Sequence, residues 1–446
     1  MKSFGATALV GRLGWWLKVA CIVGWMGSLA WGQELRFQRD IAPVLRERCV
    51  GCHQAGKAKG SYRLDTFELL MKAGSSGLTP VVPGKPGESR LATILREKDE
   101  EDRMPQDAEA LTVEEIGLVE RWIVEGARYD GPDPVLAWVV EEELPEAPDR
   151  YGRPWPVMAL AWNPEGTRLA VAGYREVRIH GTNGALLHRL GRMPERIAGL
   201  AWGVGERLAV AGGRPGRGGE LWMLTGMDGT RQRLGTSGDL MLAVAFSPDG
   251  SRLLAGGTDQ ALSVYSAGDG RRQLHLPHHA DWVTAVAWSP DGNRFGSASR
   301  DRTARVCSAK TGEGESAFTE HGTVVGGLVF GLEGKWIWSG GRDRRLRAWD
   351  GGNSEQKKNL DGWGDEVFAV VLGGGRIWAA SRDGRVGSYR AEDGGKPREF
   401  RVPGERLTAL AVSEVGRWIA VGTQSGRVQI RRMESEEKPV TEWRQE

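Results

Sequence analysis

Two thiols and an imidazole stand within five consecutive residues, Cys49-Val50-Gly51-Cys52-His53. Two cysteines three positions apart can each form a thioether to one vinyl group of a single haem, and the adjacent histidine is then placed under the iron as its fifth ligand. The chain holds only four Cys and seven His in 446 residues, so chance supplies such a string on the order of 10⁻³ times. Other chemistries fit less well. A zinc site needs four ligands, and residues 34–130 contain no further Cys or His. A thioredoxin-like pair wants a βαβ context, which the flanking pattern lacks. A plain disulfide between Cys49 and Cys52 leaves His53 without a role. The motif predicts one covalent haem c.

A haem built for electron transfer needs a sixth ligand, and a Met thioether opposite His raises the potential. Met71 and Met104 are the methionines of this stretch. Met71 falls in a helical pattern over 66–72, where a Met is ordinarily packed core. Met104 lies in Asp102-Arg103-Met104-Pro105, a loop between helices that can carry sulfur over the far face of the ring. Met104 is therefore the expected distal ligand.

Helices must position these groups. Ile41, Val44, Leu45 and Cys49 share one helical face. Asp65-Thr66-Phe67-Glu68 and Thr112-Val113-Glu114-Glu115 read as capping boxes. The second opens a helix with the apolar stripe Ile116, Val119, Trp122 and Ile123, ended by Gly126. From CVGCH through GSYRLDTFELLMKAGSSG and VVPGKPGESRL to RMPQDAEALTVEEIGLVERWIVEGA, residues 36–129 resemble the planctomycete-type cytochrome c domain. The resemblance implies a small all-α haem domain over 33–130, with thioethers at Cys49 and Cys52, proximal His53 and distal Met104. Gln106 departs from the family, which usually carries a second Pro there.

The flanks set the compartment. Lys2, Arg12 and Lys18 precede an apolar run over 19–29, followed by the small-x-small site Ala30-Trp31-Gly32. This predicts a signal peptide over 1–32 and a protein exported to the periplasm or cell envelope. If the segment stays uncleaved, its apolar stretch read back to Leu13 is a membrane anchor. Six of the chain's 20 prolines fall within 131–156, which predicts a semi-extended linker over 131–155. The apolar Val135-Leu136-Ala137-Trp138-Val139-Val140 inside it should pack or form a strand.

Beyond the linker the pattern changes to strand alternation. The chain is rich in Gly (65) and Trp (19), as turn-rich β proteins are. Apolar markers recur at Trp162, Trp202, Phe246, Trp288, Phe330, Leu372 and Val412, spaced by 40, 44, 42, 42, 42 and 40 residues. That period predicts seven propeller blades over 156–446. Ser247-Pro248-Asp249-Gly250 and Ser289-Pro290-Asp291-Gly292 supply turns between strands. Lys438-Pro439-Val440-Thr441-Glu442-Trp443 is expected as the last outer strand, in preference to 135–140. The glycine-rich 212–219 is no phosphate cradle, because no helix follows and no Lys-Ser/Thr is present. It reads as a flexible loop.

These units resemble WD repeats. The dipeptide itself occurs at Trp349-Asp350, and the resemblance implies a buried tetrad of His321, Ser339, Asp343 and Trp349. Elsewhere the tetrad has decayed: Asp301 is followed by Cys307, Asp259 by Tyr265 and Asp383 by Tyr389. Cys307 is expected to be a buried, inert thiol in the Trp position. The pair His278-His279 falls where the repeats place their tetrad His. Arg300, Arg302, Arg342, Arg344, Arg345, Arg382 and Arg385 lie in equivalent turns. They form either a basic rim for an acidic partner or a solvated rim balanced by the repeats' own acids.

The fold class is thus multidomain, a small all-α cytochrome c-like domain followed by an all-β seven-bladed WD-repeat propeller. Charge is balanced, 60 Lys+Arg against 58 Asp+Glu, which speaks against a nucleic-acid partner. No catalytic triad or paired carboxylates stand out, which favours an electron carrier or interaction protein over an enzyme. The function expected is covalent haem binding and electron transfer to a redox partner protein, with the propeller as docking module. The alternative is a propeller scaffold with an accessory redox or ligand-sensing haem domain.

Overall fold

The computed structural model describes residues 35–445 except 51, 54–57, 65, 107–108, 131–143, 217, 414, 416 and 435–437. The expected signal peptide and the apolar run 135–140 lie outside the described residues.

The N-terminal region is helical. A continuous run over 37–50 is α-helical only over Ala42–Leu45 (α1) and wider-wound over Phe37–Ile41 and Arg46–Val50. Pro43, inside it, has no N–H to give the helical ladder. Three helices follow: α2 (Phe67–Leu70), α3 (Arg90–Leu95) and α4 (Val113–Val124). Thr112 caps α4 with the full reciprocal box to Glu115, and Ile116, Val119, Trp122 and Ile123 are its buried face. The cap of α2 falls one residue later than the sequence suggests. Thr66 Oγ1 accepts from the Leu69 N–H at 3.1 Å, while Asp65 lies outside the described residues. Phe37, Ile41, Leu45, Leu70 and Trp122 pack as one core. Trp122 lies 5.2 Å from the Phe37 ring and gives its indole N–H to the Arg128 carbonyl at 2.9 Å, so the largest core side chain leaves no polar atom unpaired. The Pro/Gly segment before α3 is held by fully buried Ser89, whose Oγ accepts from the Val82 N–H and donates to the Lys85 carbonyl, both at 2.9 Å.

The remainder is a ring of seven four-stranded antiparallel sheets. Blade 1 is β1–β4 (160–190), blade 2 β5–β8 (196–237), blade 3 β9–β12 (241–276) and blade 4 β13–β16 (283–318); blade 5 is β17–β20 (325–360), blade 6 β21–β24 (367–401) and blade 7 β25–β28 (407–444). The seven sequence markers lie at or next to the ends of the innermost strands. Between blades 1 and 5 each marker is gripped from the preceding blade. The guanidinium carbons of Arg168, Arg207, Arg252 and Arg294 lie 5.8, 5.7, 4.6 and 5.9 Å from the centres of Trp202, Phe246, Trp288 and Phe330. Arg207, Arg252 and Arg294 also donate to the carbonyls of Gly250, Gly292 and Gly334, in the next blade's turn, at 2.9, 2.9 and 2.7 Å. Cation–π attraction and a charge-assisted hydrogen bond therefore fasten neighbouring blades.

The ring closes without strand exchange. The C-terminal β28 (Thr441–Arg444) pairs with β27 as blade 7's outer strand, as expected from the sequence. Across the seam, the Val157 N–H donates to the Thr423 carbonyl at 3.1 Å, Trp443 stacks on His180 at 4.5 Å, and fully buried Gln445 donates to the Ala172 carbonyl at 3.0 Å.

One expectation is corrected. The segment 212–219 is not a loop along its length: Arg207–Arg214 and Gly218–Thr225 pair to their tips, Gly213 facing Gly219 and Arg214 facing Gly218. Glycine is required there because a Cβ on Gly212, Gly213 or Gly219 would strike the backbone of Arg196, Gly218 or Asp239. From 144 on, the segment before the propeller is bonded to blade 1. Arg189 donates to the Pro148 carbonyl at 2.9 Å, Arg192 pairs with Glu146 at 2.5 Å, and the Tyr151 hydroxyl donates to buried Glu176 at 2.5 Å. These bonds fix it to blade 1.

Candidate functional site

The C-x-x-C-H string leaves the helical run in a tight turn. The Cys52 N–H donates to the Cys49 carbonyl at 3.1 Å, and the His53 N–H lies 3.2 and 3.1 Å from the carbonyls of Cys49 and Val50. The turn puts Cys49, Cys52 and His53 on the wall of one cavity of about 330 Å³. Met104 and Pro105 line the same cavity, as do Leu64, Leu78, Leu91, Ile94 and Leu95. All four residues singled out in the sequence therefore meet. Met71 does not line it; it ends α2 and packs against the domain core.

His53 is held in one orientation. Its Nδ1 lies 3.1 Å from the Tyr62 carbonyl. A carbonyl only accepts, so Nδ1 carries a proton, and in the neutral imidazole the lone pair is then on Nε2. Tyr62 is itself fixed: its ring meets His53 edge-on at 5.7 Å, and its hydroxyl donates to the Leu70 carbonyl at 2.9 Å. Gly74 makes room for it, since a Cβ there would lie 2.7 Å from the Gly60 oxygen and 2.8 Å from Tyr62 Cβ. Tyr62 and Gly74 both belong to the cavity wall, and the sequence reading assigned neither a role. A pairing through a main-chain carbonyl leaves no mark in residue type.

The Met104 loop is anchored at both ends. The Met104 N–H donates to the Ile94 carbonyl at 3.2 Å, and Gln106 Nε2 donates to the Glu101 carbonyl at 2.8 Å. Gln106, the departure from the family pattern, thus closes the loop by a hydrogen bond. Cys49, Cys52 and Cys307 are free thiols. Burial pushes the Cys49 thiol up to about 12, so it stays protonated at neutral pH.

Comparison with known families now bears on this geometry. The family described as Planctomycete cytochrome C matches residues 49–107, which begin at the first thiol and pass beyond Met104. The family described as WD domain, G-beta repeat matches 231–266 and 270–308. The chain contains a planctomycete-type cytochrome-c-like domain and WD repeats. No curated protein sequence matches it. The first match starts in the outer strand of blade 2 and the second just before that of blade 3, and each ends with the third strand of the next blade, so the sequence unit laces adjacent blades.

The WD tetrad stands in blade 5. His321 Nδ1 lies 3.3 Å from Asp343 and 2.8 Å from Arg347 Nη1, Ser339 Oγ lies 2.9 Å from His321 Nε2, and the Trp349 N–H donates to Ser339 at 3.1 Å. Arg347 adds a bond to Asp343 at 2.5 Å. Blade 4 repeats it without the indole: His279 Nδ1 donates to Asp301 at 2.8 Å and Nε2 accepts from Ser297 at 2.7 Å. The sequence reading placed His279 but not this full set; the matching spacings of 18 and 22 residues in both blades are the available signal. The order Ser-His-Asp resembles a hydrolase triad, yet Ser297 is wholly buried within the blade. Cys307 occupies the Trp position, fully buried, 3.7 Å from His278, its thiol pushed up to about 11 by burial. Of the rim arginines, Arg300, Arg342, Arg345 and Arg385 pair with Asp281, Glu366, Asp361 and Glu399 at 3.5, 2.8, 2.9 and 2.7 Å, and Arg382 also pairs with Glu366. Five of the seven rim arginines are thus balanced by the propeller's own acids, and no ion pair to a described residue joins Arg302 or Arg344.

Proposed function

We propose that the protein is an exported c-type cytochrome, an electron carrier with a docking propeller rather than an enzyme, acting in the periplasm or cell envelope. The mature chain would comprise a haem domain over 33–130, a linker over 131–155 and the propeller over 156–446. The observation that carries this reading is the His53–Tyr62 bond at 3.1 Å, on the wall shared with two free thiols and Met104. That donor set fits a covalent haem. The Nδ1 bond fixes the orientation in which His53 presents Nε2, the thiols stand beside it, and a soft thioether lies on the same apolar cavity.

Cys49 and Cys52 would hold the haem by adding S–H across its two vinyl groups, sulfur to one carbon and hydrogen to the other, with no oxidant consumed. His53 Nε2 would be the proximal ligand and Met104 Sδ the distal one. When bound, haem supplies a one-electron Fe(III)/Fe(II) couple. The rest belongs to the chain. Tyr62 keeps the proton on Nδ1, and the leucines exclude water, which favours the state of lower charge. The propeller, a rigid ring fastened by interblade arginines, offers a surface for a redox partner or other docked protein.

The reduced absorption spectrum tests the reading. A low-spin His/Met spectrum that resists carbon monoxide supports it. A high-spin spectrum that binds carbon monoxide would replace electron transfer with sensing or catalysis.

A further inference from the structure

Another cavity, of about 240 Å³, lies on the propeller between blades 1 and 2. Its wall carries Arg189 and Arg192 from the end of blade 1, Arg231 from the outer strand of blade 2, and Glu146 from the segment before the propeller. The cations are unequally matched. Arg189 is engaged by buried Glu176 at 2.7 Å and by the Pro148 carbonyl at 2.9 Å. Arg192 pairs with Glu146 at 2.5 Å. Arg231 makes no ion pair with a described residue; its Nη1 donates to the carbonyls of Gly191 and Arg192 at 3.0 and 3.1 Å. Asp228, also on the wall, is turned into its own loop, where it accepts from the Thr230 N–H and hydroxyl at 3.0 Å each.

The backbone brings these groups to one point. Arg192 has a left-handed φ of 53°, uncommon outside glycine, and the consecutive carbonyls of Gly191 and Arg192 both reach Arg231. Glu146 Oε2 sits over the same dipeptide, 2.9 Å from where a Cβ on Gly191 would stand. Burial and the neighbouring Arg192 charge both lower the Arg231 pKa, so one carboxylate is shared by two close guanidiniums.

We propose that this cavity binds a small tetrahedral oxyanion of charge −2, of the sulfate or phosphate kind, which bridges Arg192 and Arg231 and takes the place of the Glu146 carboxylate. The chain's own side chain shows the chemistry the site accepts. A free monoanion brings only the charge that Glu146 already supplies and lacks its tether, which acts as a high local concentration. A dianion meets both guanidiniums with charge-assisted hydrogen bonds and supplies the charge that Glu146 leaves unmet. Glu146 is then a built-in competitor, and the bound anion releases one of the bonds between its segment and blade 1.

The test titrates sulfate, and acetate as the monoanion, into the full chain by calorimetry at low ionic strength. The variants are Glu146→Gln and Arg231→Gln, with Glu313→Gln and Arg344→Gln as controls off the cavity wall. Wild type should bind one sulfate saturably and no acetate. Glu146→Gln should tighten sulfate about two- to fivefold, the range an exposed ion pair supports. Arg231→Gln should weaken it about tenfold or more, and the controls should match wild type, which separates the site from a general effect of net charge. Wild type without saturable sulfate binding, or with Glu146→Gln or Arg231→Gln at wild-type affinity, would overturn the proposal. If Arg231→Gln fails to accumulate, Glu146→Gln decides: tighter binding supports the site and unchanged binding refutes it. The measurement reads no haem signal, so its outcome is separate from the haem reading.

Discussion

Asp301 is the acid of the tetrad that lacks its tryptophan, and it sets a measurable share of the propeller's stability. Burial alone would raise its pKa, but hydrogen bonds from Thr303 Oγ1 at 2.7 Å, the Ala280 N–H at 3.0 Å and His279 Nδ1 at 2.8 Å outweigh burial and bring it to about 2. Burial also lowers the His279 pKa, so at neutral pH the histidine is a neutral donor and the charge resides on Asp301. The side chain is only 7% exposed, so solvent screens these bonds little. The distance from about 2 in the fold to an ordinary 3.8 corresponds to roughly 2 kcal/mol. The sign follows from the depressed value: the stabilisation is present above about pH 4 and is lost as pH falls towards 2. Asp301→Asn should therefore lower the propeller's thermal midpoint at pH 7 by about 3–5 °C. Followed by calorimetry, the wild-type and variant midpoints should converge between pH 4 and 2. An unchanged midpoint at pH 7, or a difference that stays constant into acid, would refute the reasoning.

Other consequences follow from the same geometry. Met104→Ala should leave haem covalently attached, lower the reduction potential and create carbon monoxide binding; Met71→Ala, read by the same titration, should change neither the potential nor carbon monoxide binding. Gly74→Ala drives a Cβ into Tyr62 and Gly60 and should cost about 1–3 kcal/mol, with an altered low-spin electron paramagnetic resonance signal because the carbonyl that orients His53 moves. Arg252→Ala removes the grip on Trp288 and the bonds to Gly292 and Ala309. It should cost the propeller about 1–3 kcal/mol in urea melts without changing haem content.

Local chemistry was legible in the sequence where one stretch of chain carries it. The thiols and His53 are fixed by spacing within five residues, and the blade markers by a period close to 42, because each marker is the same inner-strand position of its blade. The α4 cap was legible because both halves of its box are side chains. What escaped depends on backbone or on a neighbour distant in sequence. At α2, Asp65 and Thr66 are both cap-forming residue types, and only backbone direction chooses Thr66. The paired glycines at 212–219 look like a breaker, yet strand pairing uses no side chain, and the crowding that demands glycine comes from adjoining backbone. The blade 4 tetrad was obscured by Cys307 in the tryptophan's place. The arginine grips join residues about one repeat apart, so they emerge only once the blades stand side by side. The linker's bonds to blade 1 are likewise tertiary.

The central claim is that Cys49, Cys52 and His53 hold a covalent haem. It is tested most directly by producing the full chain with a c-type haem maturation system and staining for haem after denaturing electrophoresis. The wild-type band should keep its haem, Cys49→Ala and Cys52→Ala should each weaken or lose it, the double variant should carry none, and Cys307→Ala, buried in the propeller, should match wild type. A wild-type band without haem, or a double variant that retains it, would contradict the account.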